Sequence, residues 1–352
     1  MRLDVELKDL INAGLTEPDA RTLLSRIEAI PGLNAPAMWT EITRNILTRE
    51  IPFEIHSLLF RSLFSEWDTA NAPPPAWTPS EDDVRKANVT TFSAKAGVEP
   101  RSLHAWSVNE RESFWKAMID TLGIRFHTPP AEILEPSLRA DAAVWLPGAK
   151  MNIAESCFQA SGDETAIVYR KVDQLEHITY DELDRLSNRI ANSFRQIGIG
   201  EGDAVAIDMP MTVEAVAAYL GIVKMGGVVV SIADSFAEDE IATRLRIANA
   251  STVLTQDIVV RGPKRLLMYE KVTGAGAGTI IVIPNGDTMA VTLREGDHAW
   301  HDFLVEDDAF TPVPCNPEQT TNVLFSSGTT GDPKAIPWTH TTPIKCAMDG
   351  YL

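Results

Sequence analysis

Cysteine is scarce in this chain, with three in 352 residues: Cys157, Cys315 and Cys346. They lie far apart and are odd in number, which excludes a disulfide framework and fits reduced thiols inside a cell. None has metal-ligand spacing. The run Asp297-His298-Ala299-Trp300-His301-Asp302 sets two histidines three apart between carboxylates, but no further ligand stands close by. It reads as a polar surface turn, and no metal site is assigned. Basic residues are also in the minority, 31 against 49 acidic, for a net charge of −18. That argues against general nucleic-acid binding, which needs basic patches. No run of eighteen apolar residues occurs, so no membrane span is expected. The first residues alternate acid and base and carry no secretory signal. Without one, the sequons at Asn88 and Asn249 read as coincidence. The expected location is intracellular, cytoplasmic or peroxisomal, although Gly350-Tyr351-Leu352 is not a peroxisomal address.

Two common phosphate-binding fingerprints are missing as well. Five residues after Gly328, where a Walker A loop needs glycine followed by lysine, stands Pro333. The glycines of Gly274-Ala275-Gly276-Ala277-Gly278 lack dinucleotide spacing and open no helix, so they read as a flexible turn.

What is present is Phe325-Ser326-Ser327-Gly328-Thr329-Thr330-Gly331-Asp332-Pro333-Lys334, eighteen residues before Leu352. Val323, Leu324 and Phe325 predict a short buried strand. Four hydroxyls and two glycines follow within six residues. Gly328 and Gly331 permit φ > 0 and close approach of backbone to a ligand. Successive N–H groups in such a turn make a concave anion site. Each hydrogen bond to a charged oxygen is worth roughly 1.5–3 kcal/mol, enough in sum to hold a triphosphate with Mg²⁺ sharing its charge. Lys334 adds a cation. The competing reading is a Ser/Thr/Gly-rich surface turn.

Upstream the pattern alternates. Thr179 and Glu182 have capping-box spacing, and Leu183, Leu186, Ile190, Phe194 and Ile197 line one helix face that Gly198 ends. A strand is read inside 202–211, a helix over 213–224, a strand over 228–232, and a helix capped by Ser235 and Glu238 that ends near Asn249. Further strands are read at 252–255 and 280–283. Strands alternating with helices predict an α/β fold with a doubly wound parallel sheet. The first seventy residues differ: helices are expected over 16–30, 38–47 and 53–67, followed by the stiff proline-rich stretch 72–79. The expected division is a helical domain over 1–70, a proline-rich linker region over 71–100, a lead-in segment over 101–150, and a nucleotide domain over 151–352. The helical domain reads either as a packing cap or as a dock for a partner or second subunit.

At the loop, the chain resembles the acyl- and aryl-CoA synthetases, adenylation domains and luciferases that activate carboxylates with ATP. Their loop reads Tyr/Phe-Thr/Ser-Ser-Gly-Thr/Ser-Thr-Gly-x-Pro-Lys-Gly and is followed by Thr-His. Here the match runs from Phe325 to Lys334 with Thr339-His340 in place, and Ala335 replaces the last glycine. Trp145-Leu146-Pro147-Gly148-Ala149-Lys150-Met151-Asn152-Ile153-Ala154-Glu155-Ser156-Cys157 resembles an opening motif of the acetyl-CoA synthetase branch, and the likeness covers roughly 100–352. It implies an incomplete sheet of an AMP-binding enzyme N-terminal domain. It also implies a small-molecule carboxylate substrate, with ATP, Mg²⁺ and CoA as cofactors. Ser326, Ser327, Gly328, Thr329, Thr330, Gly331 and Lys334 are implied phosphate binders, and His340 a structural group. Arg261-Gly262-Pro263-Lys264 occupies the place of a basic segment near the CoA nucleotide. Arg261 and Lys264 read equally as CoA-phosphate partners or as a basic surface turn. Ala233-Asp234 departs from the branch's glycine pair, and an added carboxylate there would repel a CoA phosphate.

The resemblance sets the adenine-contacting Tyr-Gly-x-Thr-Glu, the ribose-binding Thr-Gly-Asp and a catalytic lysine later in the chain, downstream of Leu352. The reading is thus the N-terminal part of an acyl-CoA synthetase, inactive alone. The alternatives are a short non-catalytic product that binds a nucleotide or partner, and an adenylating enzyme that serves a carrier-protein thiol.

Overall fold

The computed structural model describes residues 3–70, 72–135, 143–171, 174–326 and 331–352. The chain divides into two compact units, Met1–Thr91 and Phe92–Leu352. The first is helical, with α1 (Leu7–Asn12), α2 (Glu17–Glu28), α3 (Ala35–Asn45), α4 (Phe53–Leu63) and α5 (Glu81–Lys86). Thr16 and Asn34 cap α2 and α3 by accepting the Asp19 and Ala37 N–H groups at 3.4 and 3.0 Å. Pro18 and Pro36 follow these caps, where a missing N–H does no harm. The capped start places α3 three residues ahead of the expected Met38, and α4 stops four residues short of Trp67. Leu23, Ile27, Met38, Trp39, Ile42, Ile55 and Leu59 form the core of this unit. The 72–79 stretch is tied down within it: Trp39 Nε1 donates to Ala76 O at 2.7 Å and Arg44 donates to Thr78 O at 2.9 Å.

Helix α6 (Asn88–Ala96) runs into the second unit, where α7 (Leu103–Asn109) and α8 (Arg111–Leu122) follow. Phe114 meets Phe92 and Trp106 there edge to face, and those two rings are tilted to each other. Next come the paired strands β1 (Leu134–Glu135) and β2 (Val144–Trp145), then the hairpin β3 (Thr165–Lys171) and β4 (Gln174–Thr179). Helix α9 (Tyr180–Gln196) begins on the expected capping box. Glu182 N–H donates to Thr179 Oγ1 at 3.2 Å, and Thr179 N–H to Glu182 Oε2 at 2.8 Å. It ends at Gly198, which takes φ +85°.

The alternating part comprises β5 (Ala204–Asp208), α10 (Val213–Lys224), β6 (Val228–Ile232), α11 (Glu238–Ala248) and β7 (Thr252–Gln256). It continues through a small hairpin, β8 (Val259–Arg261) and β9 (Lys264–Leu266), then α12 (Met268–Gly274), β10 (Thr279–Ile283), β11 (His298–Ala299) and α13 (Trp300–Phe303). It closes with β12 (Thr320–Ser326), β13 (Lys334–Thr339) and α14 (Thr342–Tyr351). Among the described residues the main sheet has seven strands in the order β11-β10-β7-β5-β6-β12-β13. All pairs are parallel except β12 with β13. The expected α/β fold with a helical segment ahead of it is therefore present, with one antiparallel edge strand added.

The pleat sorts each strand's residues onto two faces. Val205 and Ile207 join Ile190, Phe194, Ala217 and Ile222 of α9 and α10 in one core. Ala206, Val230 and Ile232 join Ile241, Leu245 and Val272 of α11 and α12 in the other. Phe194 is fully buried, so truncating it to Ala would cost about 3–5 kcal/mol. Two local expectations are corrected. Ser235 does not cap α11; Ala237 precedes the helix and its N–H is taken by the Glu240 carboxylate at 2.9 Å. Gly274 belongs to α12, and a Cβ there would meet the Glu238 carboxylate at 2.2 Å. That carboxylate is the far end of an exposed side chain and can swing away, so packing does not require the glycine.

Candidate functional site

The connection from β5 to β6 passes through α10 on one face of the sheet. The connection from β6 back to β7 passes through α11 on the other. Neighbouring strands whose chains leave in opposite directions open a crevice at their carboxyl ends, where ligands of doubly wound folds bind. A cavity of about 560 Å³ lies there. Met209 to Met211 after β5, Ser231 to Asp234 at the end of β6, and Leu324 and Phe325 of β12 line it, with Arg244 and Arg261 at its side.

β12 carries the chain along this crevice into the Ser326–Lys334 loop. The strand is longer and less buried than expected: Thr321 and Asn322 are buried, while Val323 to Ser326 are half-exposed beside the crevice. Ser326 faces Lys334 across the antiparallel β12–β13 ladder, so the loop connects the ends of these two strands. Ser327, Gly328, Thr329 and Thr330 lie outside the described residues. Gly331 has φ +101° and open space where a Cβ would sit, leaving its backbone approachable. Lys334 is exposed and makes no ion pair among the described residues. Asp332 pairs with Arg246 of α11 at 2.7 Å. Ala335 stands opposite Phe325 in β13, and left-handed φ among described non-glycine residues is confined to Leu146 and Asn249. Alanine therefore serves in place of the family's glycine.

The hairpin is anchored from behind. His340, just after β13, is 1 % exposed, and its Nδ1 accepts the Ile153 N–H at 3.1 Å. Burial lowers its pKa to about 4, so the ring is neutral. Next to Ile153, Asn152 Nδ2 donates to Val223 O and Val313 O at 2.9 and 3.0 Å. The Trp145–Cys157 motif is thereby tied to both α10 and the phosphate hairpin. Lys224, at the end of α10, is also buried, and its Nζ reaches Asp184 Oδ1, Ser187 Oγ and Asn188 Oδ1 of α9 at 2.5, 2.7 and 2.7 Å.

The basic segment forms the tip of the β8–β9 hairpin, with Arg261 facing Lys264. Lys264 is exposed. The Arg261 guanidinium donates to the Asp234 carboxylate in a tight ion pair. The carboxylate that the sequence marks as hostile to a phosphate is thus the present partner of the arginine offered to that phosphate. Two further groups at this end escaped the sequence reading. Arg244 of α11 is 7 % exposed and stacks on Phe236 with its guanidinium 3.8 Å from the ring centre, and its Nε has no hydrogen-bond partner among the described residues. Its position was legible, since Ile241 and Leu245 at three and one residues away mark the same apolar helix face. Asp208, ending β5, is fully buried, and neither carboxyl oxygen has a partner among the described residues. Burial pushes its pKa up to about 7, with Lys271 pulling it down and Asp234 adding to the rise.

A mostly parallel sheet with helices on both faces places the chain among the doubly wound α/β proteins, and comparison with known proteins narrows the class. The AMP-binding enzyme family matches residues 154–350. Residues 101–157 match the acetyl-coenzyme A synthetase N-terminus, and residues 3–65 match the SAM domain of probable acyl-activating enzymes 17/18. The chain belongs to the AMP-binding enzyme family, in its acetyl-CoA synthetase-like branch. It is 37 % identical to the hexanoyl-CoA synthase of Cannabis sativa over 99 % of its own length and 52 % of that protein's. It has the same identity and the same coverage with the probable peroxisomal acyl-activating enzyme 18 of Arabidopsis thaliana. Among solved structures it resembles an acetoacetyl-CoA synthetase from Streptomyces lividans, with TM-score 0.70 and 30 % identity over 76 % of this chain and 44 % of that one. The chain spans about half the length of the curated relatives it matches.

Proposed function

We propose that this chain supplies the phosphate-binding part of an acid–thiol ligase that uses ATP, Mg²⁺ and CoA. The observation that carries the reading is the Ser326–Lys334 hairpin tip, set beside the carboxyl ends of a parallel sheet in a member of the AMP-binding family. In this reaction a carboxylate oxygen attacks the α-phosphorus of ATP. The acyl–O–P bond forms, the α–β bridge breaks, and pyrophosphate leaves with its negative charge. A thiol sulfur then attacks the acyl carbonyl and expels AMP, giving the thioester.

Ser326, Ser327, Gly328, Thr329, Thr330, Gly331 and Lys334 would hold the β- and γ-phosphates. Their work is to position the leaving group and offset its growing charge. The positive φ of Gly331 and the exposed Lys334, which makes no ion pair among the described residues, fit that task. Mg²⁺ would ride on the phosphate oxygens and water. Arg261 and Lys264 are the candidate partners of CoA phosphates. No residue of the chain is assigned to the chemical step itself. The word peroxisomal in the names of two relatives supports a peroxisomal location, which imaging of the tagged protein in its own cells would test.

The direct test is equilibrium binding of a fluorescent ATP analogue with Mg²⁺. Replacing Lys334 or Ser327 by alanine should each weaken binding by about tenfold or more, the worth of one hydrogen bond to a charged oxygen. Unchanged affinity in both variants would overturn the loop assignment.

A further inference from the structure

The crevice between β5 and β6 holds two arginines in different states. Arg244 is 7 % exposed, with its Nε unpartnered. Arg261 has its side chain 53 % exposed, yet its guanidinium is already bound by Asp234, whose side chain is only 12 % exposed. Both arginines and Asp234 line the same cavity. On the other side of Asp234, Lys271 Nζ donates to the Asp234 backbone oxygen at 2.7 Å. An anion entering this crevice therefore meets an arginine whose place is taken by the chain's own carboxylate.

We propose that Asp234 is the acceptor-selecting residue of the crevice: a ligand phosphate must take Arg261 from the Asp234 carboxylate, so the crevice admits phosphate monoesters and refuses ligands with a single negative charge. A monoanion that displaces Asp234 exchanges one carboxylate–guanidinium pair for another of the same strength. It also leaves a largely buried carboxylate without its partner, which is unfavourable. A phosphate monoester carries close to two charges at neutral pH and three acceptor oxygens. It can engage Arg261 in bidentate fashion and still offer an oxygen to the unfilled donor of Arg244. Lys271, whose Nζ donates to the Asp234 backbone oxygen, keeps a cation at the released residue. The selection thus arises from competition inside the protein rather than from an added contact to the ligand.

The inference rests on the reading that this crevice receives the phosphorylated end of a thiol acceptor, and it stands apart from the ATP loop. The probe is adenosine 3′,5′-bisphosphate, with uncharged adenosine as control. Calorimetry on the 352-residue chain compares wild type with Asp234→Asn, Arg261→Gln and the double variant. The expected result is at least tenfold tighter bisphosphate binding in Asp234→Asn, with adenosine unaffected. Arg261→Gln should weaken bisphosphate binding at least tenfold, and Asp234→Asn should have no effect in that background. Equal or weaker bisphosphate binding in Asp234→Asn overturns the proposal, including the case in which neither form binds. If Asp234→Asn does not fold, phenylglyoxal labelling of Arg261 in the wild type decides. The bisphosphate must slow it at least tenfold, and an unchanged rate overturns the proposal. The ATP-analogue measurement on Lys334 and Ser327 variants does not involve Arg261, so a failure here is distinct from a failure of the loop assignment.

Discussion

Ile153 and His340 are joined by a single hydrogen bond, from the backbone N–H of the first to Nδ1 of the second at 3.1 Å, across 187 residues of sequence. It links the segment before the sheet to the strand that leaves the phosphate loop. Replacing His340 by Ala strands a buried N–H and opens a cavity, and the expected loss is about 2 kcal/mol or more. Asn in that place can present an oxygen near the position of Nδ1 and should recover part of the loss. Urea denaturation of the two variants measures this. Equal stability of wild type and His340→Ala would show that the contact does not hold the hairpin.

The buried groups His340 and Asp208 give the protein two opposite pH responses. The folded pKa of His340, about 4, lies below its ordinary 6.5. As pH falls from 6.5 to 4 the unfolded chain takes up a proton that the folded chain refuses, so this group lowers stability by up to about 3 kcal/mol. The folded pKa of Asp208, about 7, lies above its ordinary 3.8. Between those values the folded chain holds the extra proton, so stability from this group is lost as pH rises to 7, by up to about 4 kcal/mol. Over pH 4 to 6.5 the two slopes cancel. Melting temperature against pH should show His340→Asn losing stability as pH rises and Asp208→Asn gaining it across that range. Parallel profiles in both variants would refute the assignment.

Much of this was legible in the sequence, and the limits have physical causes. The Thr179–Glu182 box and the apolar stripe from Leu183 to Phe194 are local signals, and the structure honours them. The glycine and hydroxyl order of the loop is local as well. The Asp234–Arg261 pair joins residues 27 apart whose meeting depends on where the β8–β9 hairpin folds. The partner of His340 depends on strand order, which no short window encodes. Ser235 misled because a hydroxyl near an acidic helix start resembles a cap, whereas here Glu240 reaches back and does that work.

Gly331 and Arg246 should separate loop shape from loop stability. Gly331 has φ +101°, and among the described residues nothing lies within 4 Å of where a Cβ would sit, so Gly331→Ala is penalised chiefly by backbone conformation. The expected cost is about 1 kcal/mol with a clear loss of ATP-analogue affinity. The Arg246–Asp332 pair has both side chains 64 % exposed, and Arg246→Ala should change stability by less than about 0.5 kcal/mol. A larger loss in Arg246→Ala than in Gly331→Ala would mean that the ion pair, not the glycine, sets the loop.

Binding and turnover should come apart in this chain. The β12–β13 strands, the His340 anchor and the crevice are all built from residues present here, while the chain spans about half the length of the curated relatives it matches. Phosphate contacts alone hold the leaving group without orienting the carboxylate against the α-phosphorus, and orientation accounts for much of the barrier reduction in such reactions. The 352-residue chain is therefore expected to bind the Mg²⁺–ATP analogue and to show no carboxylate-dependent exchange of labelled pyrophosphate into ATP. Exchange above background, abolished by Lys334→Ala, would show instead that these residues suffice for adenylate formation. Absence of both binding and exchange would remove the phosphate-loop reading altogether.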